Sequence, residues 1–114
     1  MVSAQPGPKM TLPTQLVLMA LLDEPDQERY GLELSELASL ATGTIHPILA
    51  RLEKAGWVHS RWEQIDPKQQ GRPRRRYYKL NPNNIATVRT ALARAQTSLP
   101  GLQRLRPGLA GGAT

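Results

Sequence analysis

The sequence predicts a mainly α chain with a β-hairpin, an α+β fold in the order α-α-α-β-β-α. Three observations carry this. Three segments before residue 56 place apolar residues at helical spacing. Two short alternating runs, one starting at Val58 and one ending at Leu80, flank a polar Gly/Pro stretch. After Asn81 the apolar positions return to steps of three and four. With 114 residues there is room for one compact domain with tails, and not for a second with its own core.

Residues 1–10, rich in Pro, Gly and Ser, are expected to form a flexible arm. Thr11 can cap the first helix, and Pro13 falls in its first turn, where a missing N–H is harmless. This helix is expected over 12–23, with a core, QLVLMALL, that is apolar on nearly every face and therefore buried between other elements. Glu24-Pro25-Asp26 ends it. A second helix from Tyr30 to Leu40 carries Leu34, Leu37, Ala38 and Ala41 at helical spacing, with Glu33 and Glu36 outside. The third has Ile45, Ile48, Leu49 and Leu52 as its buried stripe and Gly56 as a left-handed terminator. Thr44, Pro47, Arg51 and Lys54 share the opposite face. Pro47 leaves two starts open: at His46 with Pro47 as first residue, or near Thr42 with a distorted first turn.

Val58, Ser60 and Trp62 alternate with His59, Arg61 and Glu63, and Tyr77 to Leu80 form the second strand of the hairpin across a long polar tip. Trp57 and Trp62 are expected to wedge the hairpin against the helices; for Trp62 the alternative is stacking on a ligand. Asn81-Pro82-Asn83-Asn84 caps a last helix, so that 11–81 reads as one domain and 82–100 as its C-terminal helix. In that helix Ile85, Val88, Leu92, Ala95 and Leu99 form a heptad seam, and Pro100 stops it. The seam either covers its own core or completes a two-fold dimer against the partner's first helix, through Leu16 and Met19; the dimer is preferred. Residues 101–114 are expected to be a flexible tail.

Charge narrows the function. The net charge is +6 and the sequence pI about 10.3. All nine acids lie at or before Asp66, whereas residues 67–114 hold ten Lys/Arg. An excess so placed favours a polyanion. A third helix followed by a basic hairpin is the layout of a winged helix-turn-helix, in which one helix enters the DNA major groove and the hairpin holds the backbone. Thr42, Thr44, His46 and Arg51 have the reach for base edges and phosphates, the alternative being a plain solvated helix face. Arg72, Arg74, Arg75, Arg76 and Lys79 place five cations in eight residues. Their mutual repulsion asks for an anion, a phosphate or a narrowed minor groove, unless they are a solvated charge run; alternation turns two of the arginines toward the sheet. Tyr30, opening the second helix, offers a phenol and free N–H groups to a phosphate, or packs into the core.

Other chemistries find little support. The absence of cysteine excludes disulfides, thiolate zinc sites and a cysteine nucleophile. His46 has no second ligand at metal spacing, so no metal is expected. Without GxSxG, HExxH, a phosphate-cradling loop or an apolar carboxylate pair, neither catalysis nor a cofactor is expected. The longest apolar run, Leu16 to Leu22, falls far short of the ~20 residues of a membrane span. With no signal-peptide pattern either, a cytoplasmic protein without a membrane partner is expected.

YGLELSEL, GTIHPILARLEKAGW and GRPRRRYYKLNP follow one another in this order. In them the chain resembles the PadR family of bacterial transcription regulators, in its short single-domain form, over roughly residues 12–95. The resemblance implies a C-terminal dimerisation helix and a homodimer on palindromic double-stranded DNA. It also implies that the protein usually represses and, in some members, is released by a small-molecule effector. His46 stands where the family usually has tyrosine and Ala41 near a usual serine cap, so base preference and helix start are expected to differ. At a DNA surface, His46 would make affinity depend on pH near neutrality. The last helix lacks the aromatics with which relatives stack flat drugs between subunits. The competing reading is a winged-helix adaptor or architectural protein with only non-specific DNA binding.

Overall fold

The computed structural model describes residues 7–97. Its elements are helix α1 (Leu12–Asp23), strand β1 (Arg29–Tyr30), α2 (Gly31–Ala38), α3 (Thr42–Lys54), β2 (Val58–Trp62), the single turn α4 (Pro67–Gln70), β3 (Arg76–Leu80), a 3₁₀ turn (Pro82–Asn84) and α5 (Ile85–Thr97). This is the expected winged helix, mainly helical with a small antiparallel sheet, plus two short elements, β1 and α4, that the sequence did not announce.

The Thr11 hydroxyl accepts the Thr14 N–H at 3.3 Å and so caps α1. Lacking a polar face, α1 becomes the centre of the fold, packing on α2, α3 and α5, with Val17, Leu18 and Leu21 buried. Its buried Gln15 is satisfied by donating from Nε2 to the Met10 carbonyl at 2.8 Å. Residues 7–10 of the expected arm therefore run along the core, with Met10 packed against it. Residues 1–6 of that arm lie outside the described residues.

Helix α2 stops earlier than expected, at Ala38, where Ser39 turns left-handed at φ 57° and the Leu40 N–H returns to the Ser35 carbonyl at 3.0 Å. Ala41 therefore lies beyond the stripe, and Leu37 sits on the flank of the arc through Gly31, Leu34 and Ala38, half exposed. Of the two starts open for α3, Thr42 is the one adopted, with Ala41 as N-cap and Pro47 inside the helix. Its end is a Schellman turn: the Trp57 N–H reaches the Leu52 carbonyl and the Gly56 N–H the Glu53 carbonyl, both at 2.9 Å, with Gly56 at φ 81°.

The sheet order is β1-β3-β2, all antiparallel, with Val58 opposite Leu80, Trp62 opposite Arg76 and Tyr30 opposite Tyr77. Trp57 is buried, as expected. Trp62 does not wedge the hairpin against the helices; it is 54% exposed, because the ladder runs on past the core and Trp62 pairs at its far end.

The heptad seam faces inward. Val88 is fully buried and Leu92 only 8% exposed, and Ile85 packs on the core, because the nearest apolar surface to a two-turn stripe is the chain's own α1. Val88 and Leu92 are thus not free to meet a second copy, contrary to expectation. Ala95 is half-buried, and Leu99 and the tail lie outside the described residues. On α1, Leu16 is half-buried while Met19 remains 47% exposed. Among the described residues, no helix is long and apolar enough to cross a membrane.

Candidate nucleic-acid interface

Helix α3 buries Ile45, Ile48, Leu49 and Leu52 and turns the rest outward. At about 3.6 residues per turn, its outer apex is Gly43, Pro47, Ala50 and, in the last turn, Lys54, all exposed. Thr44 and Arg51 form one shoulder. Thr42 and His46 fall on the other. The helix does not bring His46 beside Thr44 and Arg51. Instead His46 leans toward α2, where a Cβ added to Gly31 would lie 2.9 Å from its Cε1. Over its first two turns the apex is small and lies between two polar shoulders, a shape that allows close approach to a groove floor, and Lys54 adds a cation at its C-terminal end.

The wing is built around one carboxylate. Glu63, the first residue after β2, accepts both guanidinium nitrogens of Arg72 at 2.7 and 3.0 Å and the Arg75 N–H at 3.2 Å. The Arg72 contact, backed by the Arg75 N–H, holds the Glu63 carboxyl down to about 2. Asp66 caps α4 by accepting the Lys68 N–H at 3.0 Å, and Gly71 closes it at φ 69°. Arg74 donates from Nε to the Ile65 carbonyl at 3.1 Å. What reads in sequence as a polar tip is therefore a locked loop.

The five cations do not act alike. Arg72 is spent on Glu63, and Arg76 stands 3.6 Å from Glu53 of α3 with its guanidinium 5.1 Å from the Trp62 ring centroid. These two turn inward because Glu63 and Glu53 hold them, not through strand alternation, since Arg72 precedes β3; Arg74 remains exposed. Arg75 lies over the Tyr30 ring at 4.2 Å, and Tyr30 meets Tyr77 edge-on at 5.8 Å. Arg61 completes this row, 5.1 Å over Tyr77 and bidentate to Glu28 at 2.6 and 2.7 Å. Tyr30 is thus half-buried between wing and sheet, and its N–H is taken by Glu33 at 3.1 Å. Lys79, opposite His59 in the sheet, sits at the root of the wing. With the Arg61 bond as first cause and Lys79 helping, the Glu28 carboxyl is held below its usual range.

Sequence reasoning missed Glu63 and the exposure of Trp62. The signal for Glu63 was present: Glu63 and Asp66 are the last acids before the basic run. A groove of about 780 Å³ lies away from this face, between residues 7–10 and α5, floored by Trp57 and walled by Met10, Ala91 and Arg94. No cluster of three or more His, Asp or Glu able to hold a metal occurs among the described residues.

Residues 17–84 match the model of a family described as the transcriptional regulator PadR-like family. Among solved structures, a padr family transcriptional regulator from Eggerthella lenta is 22% identical at a TM-score of 0.59, covering 80% of each chain. A possible transcriptional regulator from Methanosarcina mazei is 20% identical at 0.58, covering 86% of this chain and 78% of that one. A PadR family transcription regulator from Clostridium difficile is 18% identical at 0.57, covering 88% and 99%. At these identities the likeness establishes the fold. No curated protein sequence matches significantly.

Proposed function

The chain belongs to the transcriptional regulator PadR-like family, and from that premise we propose a repressor that binds a palindromic operator as a homodimer. It is a DNA-binding transcription regulator by family; the finer reading rests on α3. Arg51 is exposed there with no acid paired to it among the described residues, beside the apex of Gly43, Pro47, Ala50 and Lys54. In this reading residues 11–81 are the DNA-binding domain. Thr42, Thr44, His46 and Arg51 reach base edges, one shoulder to each side of the apex. Tyr30, Arg74, Arg75 and Lys79 hold phosphates or minor groove, while Arg72, through Glu63, and Arg76, through Glu53 and Trp62, keep the wing in shape. Repression follows from occupying a promoter in the cytoplasm.

The dimer contact falls to the stripe Leu12, Leu16 and Met19 on α1, with Leu12 56% exposed, together with the outward side of α5. A two-fold axis there would set two copies of α3 one DNA turn apart, ~34 Å. The apolar groove over Trp57 is the place for a small-molecule effector, since α5 forms both its wall and the dimer element.

Titration of duplexes at several salt concentrations tests the division of labour. Arg51→Ala is expected to lose roughly tenfold or more in specific affinity and to relax sequence preference. Arg74→Ala is expected to weaken specific and random DNA alike and to lower the salt slope by about 1. An Arg51→Ala protein with unchanged operator affinity would show that α3 is not the reading element.

A further inference from the structure

We propose that Trp62 and Arg74 form a ridge on the wing that seats on one strand of duplex DNA beside the site read by α3, indole against deoxyribose and guanidinium against phosphate. This contact rests on the DNA-binding reading above and extends it to a residue that reading leaves idle.

Trp62 is exposed although Val58, on the same strand face, and Tyr78, two residues along from its partner Arg76, are buried. Leaving an indole in water forgoes about 25 cal/mol for each Å² of apolar surface, so a ring held out of the core at this position asks for an occupant. Nor is it loose. The Arg76 guanidinium lies over its ring and is tied in turn to Glu53, so the indole keeps a fixed relation to α3. Trp62 and Arg74 also stand together between two concavities of about 440 and 600 Å³, both residues lining each. Pro67 and Pro73 stiffen the second.

Charge selects the occupant. Residues 62–76 carry five cations against two acids; with Arg72 on Glu63 and Arg76 on Glu53, the cations Lys68, Arg74 and Arg75 outnumber the one remaining carboxylate, Asp66. An indole between Pro67 and Pro73 with Arg74 beside it fits a polymer that alternates apolar sugar rings with phosphates. An apolar peptide would leave Arg74 unmatched.

Because Trp57 is buried and Trp62 exposed, acrylamide quenching of tryptophan emission reads Trp62 selectively. Saturation with a mixed-sequence duplex, or one enriched for binding, is expected to cut the quenching constant roughly twofold as the ring becomes enclosed. Trp62→Ala is expected to bind duplex roughly tenfold more weakly, as for loss of a desolvated aromatic anchor, while Trp62→Phe keeps most of the affinity. Both variants should keep the wild-type thermal midpoint. Anisotropy of labelled duplex follows binding independently, so a wild type that binds no duplex rejects the DNA reading itself. A bound duplex that leaves Trp62 equally quenchable, or a Trp62→Ala protein that binds like wild type, overturns this contact and leaves the ridge to a protein partner.

Discussion

Glu63 organises the wing, and its chemistry sets a pH window. Its carboxyl is held at about 2 against an ordinary 4.5, so the ionised form is favoured by folding. The stabilisation is fully present above 4.5 and is lost as pH falls through about 2. Glu63→Gln should therefore melt at a lower temperature than wild type near neutrality, and the gap should close between pH 4.5 and 2. A gap independent of pH would mean that shape, not charge, matters at this position. At this scale the sequence was half legible. A run of arginines announces a basic wing, but which of them are neutralised depends on Glu63 and Glu53, which strand pairing and the end of α3 bring to Arg72 and Arg76. Trp62 was misread because alternation assigns a side to a strand residue and says nothing of how far the sheet outruns its core.

At the scale of elements, α2 and α3 meet where the His46 ring covers Gly31, and the fit leaves no room for a Cβ. Alanine at 31 favours helix formation, so Gly31→Ala should fold normally while pushing His46 aside. Its duplex affinity is expected to fall to that of His46→Ala, with the double variant no weaker than either; additive losses would show that the two positions act separately. Helices α1, α3 and α5 were legible because each carries a sustained period and a capping residue, Thr11, Gly56 and Asn81. The start of α3 was open because Pro47 fits the first turn of a helix and is tolerated farther in where packing of Ile45, Ile48 and Leu49 compensates. Strand β1 was not legible: two residues have no period, and it exists because β3 offers a free edge beside Arg29 and Tyr30.

For the whole molecule, the apolar seam that starts at Ile85 said that the helix packs and not on what. Val88 and Leu92 show the answer within one chain, so a charge at Leu92 should unfold the protein and report little about assembly. The informative variant is Met19→Arg on the exposed stripe of α1. It is expected to keep the wild-type thermal midpoint and to sediment as a monomer where wild type is a dimer, and an unchanged dimer would place the interface elsewhere. Dimerisation in turn dictates the form of the DNA site, because two copies of α3 related by a two-fold axis must read inverted half-sites. Selection of bound sequences from random duplex DNA at ~0.15 M salt, followed by titration against scrambled DNA, tests this most directly. The expected result is an enriched palindrome with half-sites about one turn apart, bound at least ~10³-fold more tightly than scrambled duplex. No enriched sequence, with binding that vanishes at ~0.2 M salt, would contradict a sequence-specific repressor and leave an architectural or adaptor protein in its place.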